Sequence, residues 1–185
     1  MTGRVLPMPD TIPDNARPSA VLGLLFPVTD VLHMLLIRRT SDGRAHSGQI
    51  SFPGGRYEPS DADLRTTALR EAEEEVGLIS STVSIIGALS PLYIPVSNFQ
   101  VYPYIGYTAK RPDYILSEHE VDSIIEVPLD ELLHPERKTR VEVTSPADRT
   151  FIREVPAYKL QDSTIIWGAT AMIISELQVV LEEFT

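Results

Sequence analysis

The segment Arg70-Glu71-Ala72-Glu73-Glu74-Glu75-Val76-Gly77-Leu78 sets four carboxylates within five positions of one predicted helix. Leu64, Ala68, Leu69, Ala72 and Val76 recur at helical spacing over Asp61–Val76, Ser60 or Asp61 is placed to cap the start, and Gly77 to end it. On this helix Glu71, Glu74 and Glu75 stand at i, i+3 and i+4 and share a face, which is expected to be open to solvent, while Glu73 sits away from Glu71. Like charges so spaced cost about 0.2 to 0.5 kcal/mol per pair. Two readings follow: a solvated acidic face, or oxygen ligands for a hard divalent ion such as Mg2+, which takes a few carboxylates and fills its shell with water and substrate phosphate. Arg70 is placed to pair with a neighbouring carboxylate and fix its orientation.

The rest of the composition narrows the chemistry. The chain has no cysteine, which excludes disulfides, thiolate zinc sites and a cysteine nucleophile, so a metal must sit on O or N ligands. Lys and Arg total 16 against 26 Asp and Glu, a formal charge of -10, which argues against electrostatic capture of nucleic acid or an anionic membrane surface. The 185 residues fit one domain. The Pro-rich residues 1–18 are expected as an extended arm, with the folded domain over 19–185. No secretory h-region or membrane-length apolar run is present, and the expectation is a cytoplasmic protein.

Apolar runs at Ala20–Phe26 and Val31–Arg38, split by Thr29-Asp30, predict a hairpin of buried strands, followed by a polar loop from Arg39 to Gly48. A short strand at Ile50–Phe52 leads into Pro53-Gly54-Gly55. Further strands are expected at Val83–Leu92, Val101–Thr108 and Phe151–Leu160, and a helical turn at Leu129–Leu133. Ile173, Ile174, Leu177, Val180, Leu181 and Phe184 mark a final amphipathic helix. Strands in mixed order with one helix in the middle and one at the end predict an α/β (α+β) sandwich.

Gly54-Gly55, the interval to Arg70 and then R-E-x-x-E-E-x-G-Leu78 resemble the Nudix box, G-x5-E-x7-R-E-U-x-E-E-x-G-U with U aliphatic. The tail matches, with Ala72 at the first U. The front carries one extra residue, and the box's first acidic role is left open between Glu58 and Asp61. Upstream, Leu35-Leu36-Ile37-Arg38-Arg39-Thr40, then Arg44, Gly48 and Phe52-Pro53-Gly54-Gly55, is similar to the extra motif of the coenzyme A pyrophosphatase branch. All its spacings agree, with Ile37 where the motif has Thr and Thr40 where it has Ser or Ala.

The resemblance implies a Nudix-type α/β/α sandwich with a mixed sheet. It also implies Mg2+- or Mn2+-dependent attack of water on a nucleoside diphosphate linkage. Its branch implies coenzyme A or acyl-coenzyme A as substrate, cleaved to 3',5'-ADP and 4'-phosphopantetheine. Glu71, Glu74 and Glu75 become the metal ligands, with Glu74 a ligand or base, Arg70 their orienting partner, and Glu120 in the loop Glu118–Asp122 a further ligand or base. Arg39, Arg44, His46, Gly54 and Gly55 become the substrate-binding set, the arginines as bidentate partners of phosphate. Two alternatives stand beside this: the same chemistry on ADP-ribose, dinucleotides or nucleoside triphosphates, and a Nudix-fold module that binds a nucleotide without cleaving it. The partner expected is a small nucleotide; the oligomeric state is open.

Overall fold

The structure is a computed structural model that describes residues 12–41, 48–144 and 152–183. β1 (Arg17–Val28) and β2 (Val31–Arg39) form the expected antiparallel hairpin, turning at Thr29-Asp30 with Thr29 at φ 56°. β3 (Ile50–Ser51) pairs with β2, and β4 (Gly54–Arg56) lies against the start of β1. After α1 (Leu64–Val76), β5 (Ser84–Ala88) and β6 (Leu92–Ile94) pair with β7 (Phe99–Tyr107), which runs parallel to β1. β8 (Val121–Pro128) pairs with β2 and leads into α2 (Leu129–Leu133). β9 (Lys138–Thr144), β10 (Ile152–Lys159) and β11 (Ile165–Trp167) make a second, three-stranded sheet, and α3 (Ala169–Glu182) closes the chain.

The main sheet has eight strands, one pair of them parallel, and its two faces are covered separately. Ala20, Leu22, Leu24 and Phe26 of β1 with Leu35 and Ile37 of β2 pack on Ala68, Ala72 and Val76 of α1. The opposite core joins Leu25, Met34 and Leu36 to Ile50, Phe52 and Ile105, and to Ile173, Ile174 and Leu177 of α3. Alternation along β1 and β2 thus feeds two apolar layers, and the mixed sheet between helices is the expected sandwich.

Several expectations are corrected. β1 begins at Arg17, so the end of the expected arm is strand: Arg17 N donates to Asn98 O and its guanidinium stacks 4.2 Å from the Phe99 ring centroid. The single strand expected at Val83–Leu92 is broken at Leu89–Pro91 into β5 and β6, where Leu89 N turns to Pro103 O. β4, β8, β9 and β11 are strands beyond those expected from the sequence. Neither Ser60 nor Asp61 caps α1. Asp63 does, its Oδ1 accepting from Thr66 N at 2.7 Å, because the Asp61 carboxylate is committed elsewhere. Phe184 lies outside the described residues. No helix among the described residues is long and apolar enough to cross a membrane.

Candidate active site

α1 meets the sheet with its acids at the turn between β3 and β4. Its buried stripe, Ala68, Ala72 and Val76, includes Glu75, whose side chain is only 1% exposed. That corrects the expectation of a solvent-facing position: Glu75 stands at i+3 from Ala72 and i+7 from Ala68, and so shares their face. Two elements hold its carboxylate. Arg39 Nη1 from the end of β2 donates to Oε1 at 2.8 Å, and Gly54 N donates to Oε2 at 2.9 Å. Desolvation nonetheless pushes its pKa up to about 7, against the lowering pull of Arg39 and Gly54 N–H, with Glu71 raising it further.

Glu71 sits one turn earlier at the edge of the same face, 15% exposed, beside Gly55. A Cβ on Gly55 would overlap the Glu71 carboxylate, so a side chain there would displace that carboxylate from its place beside the strand. Burial raises the Glu71 pKa, with Glu74 and Glu120 adding repulsion and Arg70 opposing. Glu120 is exposed, and its backbone O accepts from Thr40 N at 3.0 Å, which fastens the Glu118–Asp122 segment to the end of β2.

Glu74 stands apart. It is 56% exposed and its Oε2 accepts from Arg70 Nη1 at 2.8 Å. Arg70 also contacts Glu71 Oε1 at 3.0 Å, donates to Arg56 O, and grips Asp61 with two bonds, Nε to Oδ1 at 2.9 Å and Nη2 to Oδ2 at 3.1 Å. Asp61 is buried and also accepts from Thr67 Oγ1 and Glu58 N; the Arg70 bonds hold its pKa at about 2. Of the two acids open for the first acidic role, Asp61 bonds Arg70, while Glu58 is exposed.

The structure therefore brings together Glu71, Glu75, Arg39, Gly54 and Gly55, with the charge of Glu120 felt at Glu71, and ties Glu74 to Arg70 instead. Arg44 and His46 lie outside the described residues. Among the described residues no three acids or histidines form a ready metal cage. The donor set still fits a hard cation: two carboxylates whose pKa values are raised by burial and by neighbouring acids, Glu74 and Glu120 acting on Glu71 and Glu71 on Glu75, beside a glycine cradle. Asp61, one of the two acids open for the first acidic role, and Thr67, which the sequence did not single out, join the network around Arg70, and the i+6 and i+9 spacing from Asp61 to Thr67 and Arg70 is its signal in the sequence.

A carboxylate-lined helix packed on a glycine turn at a mixed sheet offers oxygen donors suited to a hard divalent cation. The NUDIX domain pattern matches residues 16–146, and the chain belongs to the Nudix family, hydrolases that act on pyrophosphate bonds and generally use divalent metal ions. It is 36% identical over 173 residues to the uncharacterized Nudix hydrolase NudL of Yersinia enterocolitica, covering 92% of this chain and 85% of that one. To the Escherichia coli protein of the same description it is 38% identical over 146 residues, covering 78% and 72%. Its fold is similar to that of a MutT/nudix family protein from Enterococcus faecalis, at a TM-score of 0.55 and 15% identity over 95% of this chain and 65% of that one. It is also similar to the NUDIX domain of Shewanella oneidensis NrtR complexed with ADP ribose, at a TM-score of 0.51 and 16% identity over 65% and 77%.

Proposed function

We propose that this chain hydrolyses the diphosphate of coenzyme A or its acyl derivatives, using Mg2+ or Mn2+, to release 3',5'-ADP and (acyl-)4'-phosphopantetheine. The observation that carries it is the junction of the extra motif with the acidic helix. Arg39 and Gly54, on either side of the loop within that motif, both bond Glu75, and Arg39 N closes the base of the loop on Gln49 O at 3.0 Å. The loop that carries Arg44 and His46 thus starts and ends beside the acids, which suits a site where one part of a substrate is held by the loop while its diphosphate meets the helix.

Glu71 and Glu75 would hold the cation. Bound there, it would shield the diphosphate and make a water more acidic. Glu74 is tied by its carboxylate to Arg70 at 2.8 Å. Glu120, exposed and near enough for its charge to act on Glu71, is the residue assigned to accept the proton of the attacking water. Arg70 keeps Glu71 and Glu74 in position and touches no reacting atom.

The test is product analysis by mass spectrometry after incubation with Mg2+ or Mn2+ and an equimolar panel of coenzyme A, dephospho-coenzyme A, ADP-ribose, NADH and nucleoside triphosphates. Selective release of 3',5'-ADP and 4'-phosphopantetheine is expected. Preferential cleavage of another member would keep the metal chemistry and discard the substrate. Cleavage of none would favour a binding module.

A further inference from the structure

We propose that Arg39 is a positioning residue for Glu75 and not a contact to the substrate's phosphates. This deepens the function proposed above and rests on Glu75 serving the reaction there. Leu35 and Ile37 of β2 face α1, and Arg39 continues that alternation, so its guanidinium arrives at the level of Glu75. Its Nη1 lies 2.8 Å from Oε1 of a carboxylate that is 1% exposed, while Gly54 N takes the other oxygen from the opposite side.

The backbone that carries Arg39 is fixed on both sides. Arg39 N donates to Gln49 O at 3.0 Å, and the next residue, Thr40, donates its N to Glu120 O and its Oγ1 to His119 O, each at 3.0 Å. β8 carries Asp122 as an extra residue opposite the Arg38–Arg39 step, which lets the Glu120 carbonyl reach Thr40. To meet a phosphate with its full fork, Arg39 would have to release Glu75 and leave a buried carboxylate uncompensated, a costly exchange. Held where it is, it instead fixes the orientation of a carboxylate whose lone pairs must point at a cation.

The test runs the full-length wild type, Arg39→Gln and Arg39→Lys with Mn2+ against coenzyme A and dephospho-coenzyme A. In parallel, Mn2+ binding without substrate is titrated by EPR of the free ion, and thermal unfolding checks that each variant is folded. For Arg39→Gln we expect kcat to fall about 10- to 100-fold on both substrates and the Mn2+ Kd to rise about tenfold, the range for outer partners of metal ligands. KM should change less than about threefold and the preference between the two substrates not at all. Arg39→Lys should recover part of kcat, because it keeps the charge but not the planar fork. A KM rise confined to coenzyme A, with kcat and Mn2+ affinity intact, would make Arg39 a 3'-phosphate contact and overturn the proposal. A wild type that cleaves neither substrate would sink the substrate reading alone. The Mn2+ titration would still decide, since equal Kd values in wild type and Arg39→Gln overturn the positioning role. Should Arg39→Gln fail to fold, Arg39→Lys carries the same comparison, with reduced kcat and unchanged substrate preference expected.

Discussion

Two arginines divide the acids around α1: Arg70 takes Asp61, Glu71 and Glu74, and Arg39 takes Glu75. The Asp61 pair is the more deeply set, with the Asp61 side chain 2% exposed and its partner's 21%. Breaking a buried pair by removing one charge costs about 3 kcal/mol, so Asp61→Asn should lower unfolding stability by about that much at pH 7 and free Arg70 to swing between Glu71 and Glu74. The sign with pH follows from the folded pKa lying below the ordinary 3.8, at about 2. The pair's contribution is complete above the unfolded value and is lost as pH falls through about 2. Denaturant unfolding of wild type and Asp61→Asn at pH 7 and near pH 2 checks this. A gap that persists at the acid end would mean that the charge pair is not its source. The sequence showed the arginine and the acids but not this pairing, because the one-residue shift in the front of the box hid which acid could reach Arg70. The burial of Glu75 was legible in principle, from its i+3 spacing to Ala72, yet four carboxylates within five residues read as a wet surface.

At the scale of elements, α1 is held at its far end by a strap. Ile115 N bonds Val76 O at 2.9 Å and Ser117 N bonds Glu75 O at 3.0 Å, and three residues later the chain delivers Glu120 to the site. Gly77 makes that approach possible. It stands at φ 71°, and a Cβ there would lie 2.8 Å from Ile115 Cβ and 2.9 Å from Ile115 N. Gly77→Ala should therefore cost about 1 to 3 kcal/mol of stability and speed hydrogen exchange at the Ile115 and Ser117 amides ahead of the rest of the sheet. Uniform exchange across the domain would show that the strap is not the element disturbed. Gly77 as a helix stop was readable from sequence, whereas the strap was not, since nothing in Asp113–Ser117 advertises a partner. The unread strands share a similar cause. β4 is a glycine pair at a turn, and β8 opens with Val121-Asp122-Ser123, whose polar residues masked an otherwise apolar run. β9 alternates exposed, mostly charged residues with half-buried ones, and no residue of this strand enters the two main cores. By contrast β1, β2, α1 and α3 carry long periodic apolar patterns with clear stops, and they are the elements that set the sandwich.

For the molecule as a whole, the net charge of -10 and the buried acids make stability a function of both pH and divalent metal. Glu75 has its folded pKa raised from 4.5 to about 7, and Glu71 is raised too, so the folded state binds protons more tightly than the unfolded chain. Without metal, stability should therefore fall as pH rises from about 4.5 to about 7 and level off above that. A cation that binds the folded site stabilises it by mass action, by about 2.7 kcal/mol at one hundred times its Kd. Any salt also screens the self-repulsion of an acidic surface, so the comparison must be MgCl2 or MnCl2 against NaCl at matched ionic strength. Site binding predicts that the divalent salts raise the unfolding midpoint at pH 8 well beyond NaCl and add less at pH 5, where a proton already occupies Glu75. In Glu75→Gln the pH-linked fall should shrink and most of the divalent-specific gain disappear, while the NaCl response stays as in wild type. Equal midpoints in divalent salt and NaCl would leave screening as the whole effect, and Glu71 and Glu75 would then be buried acids that hold no cation.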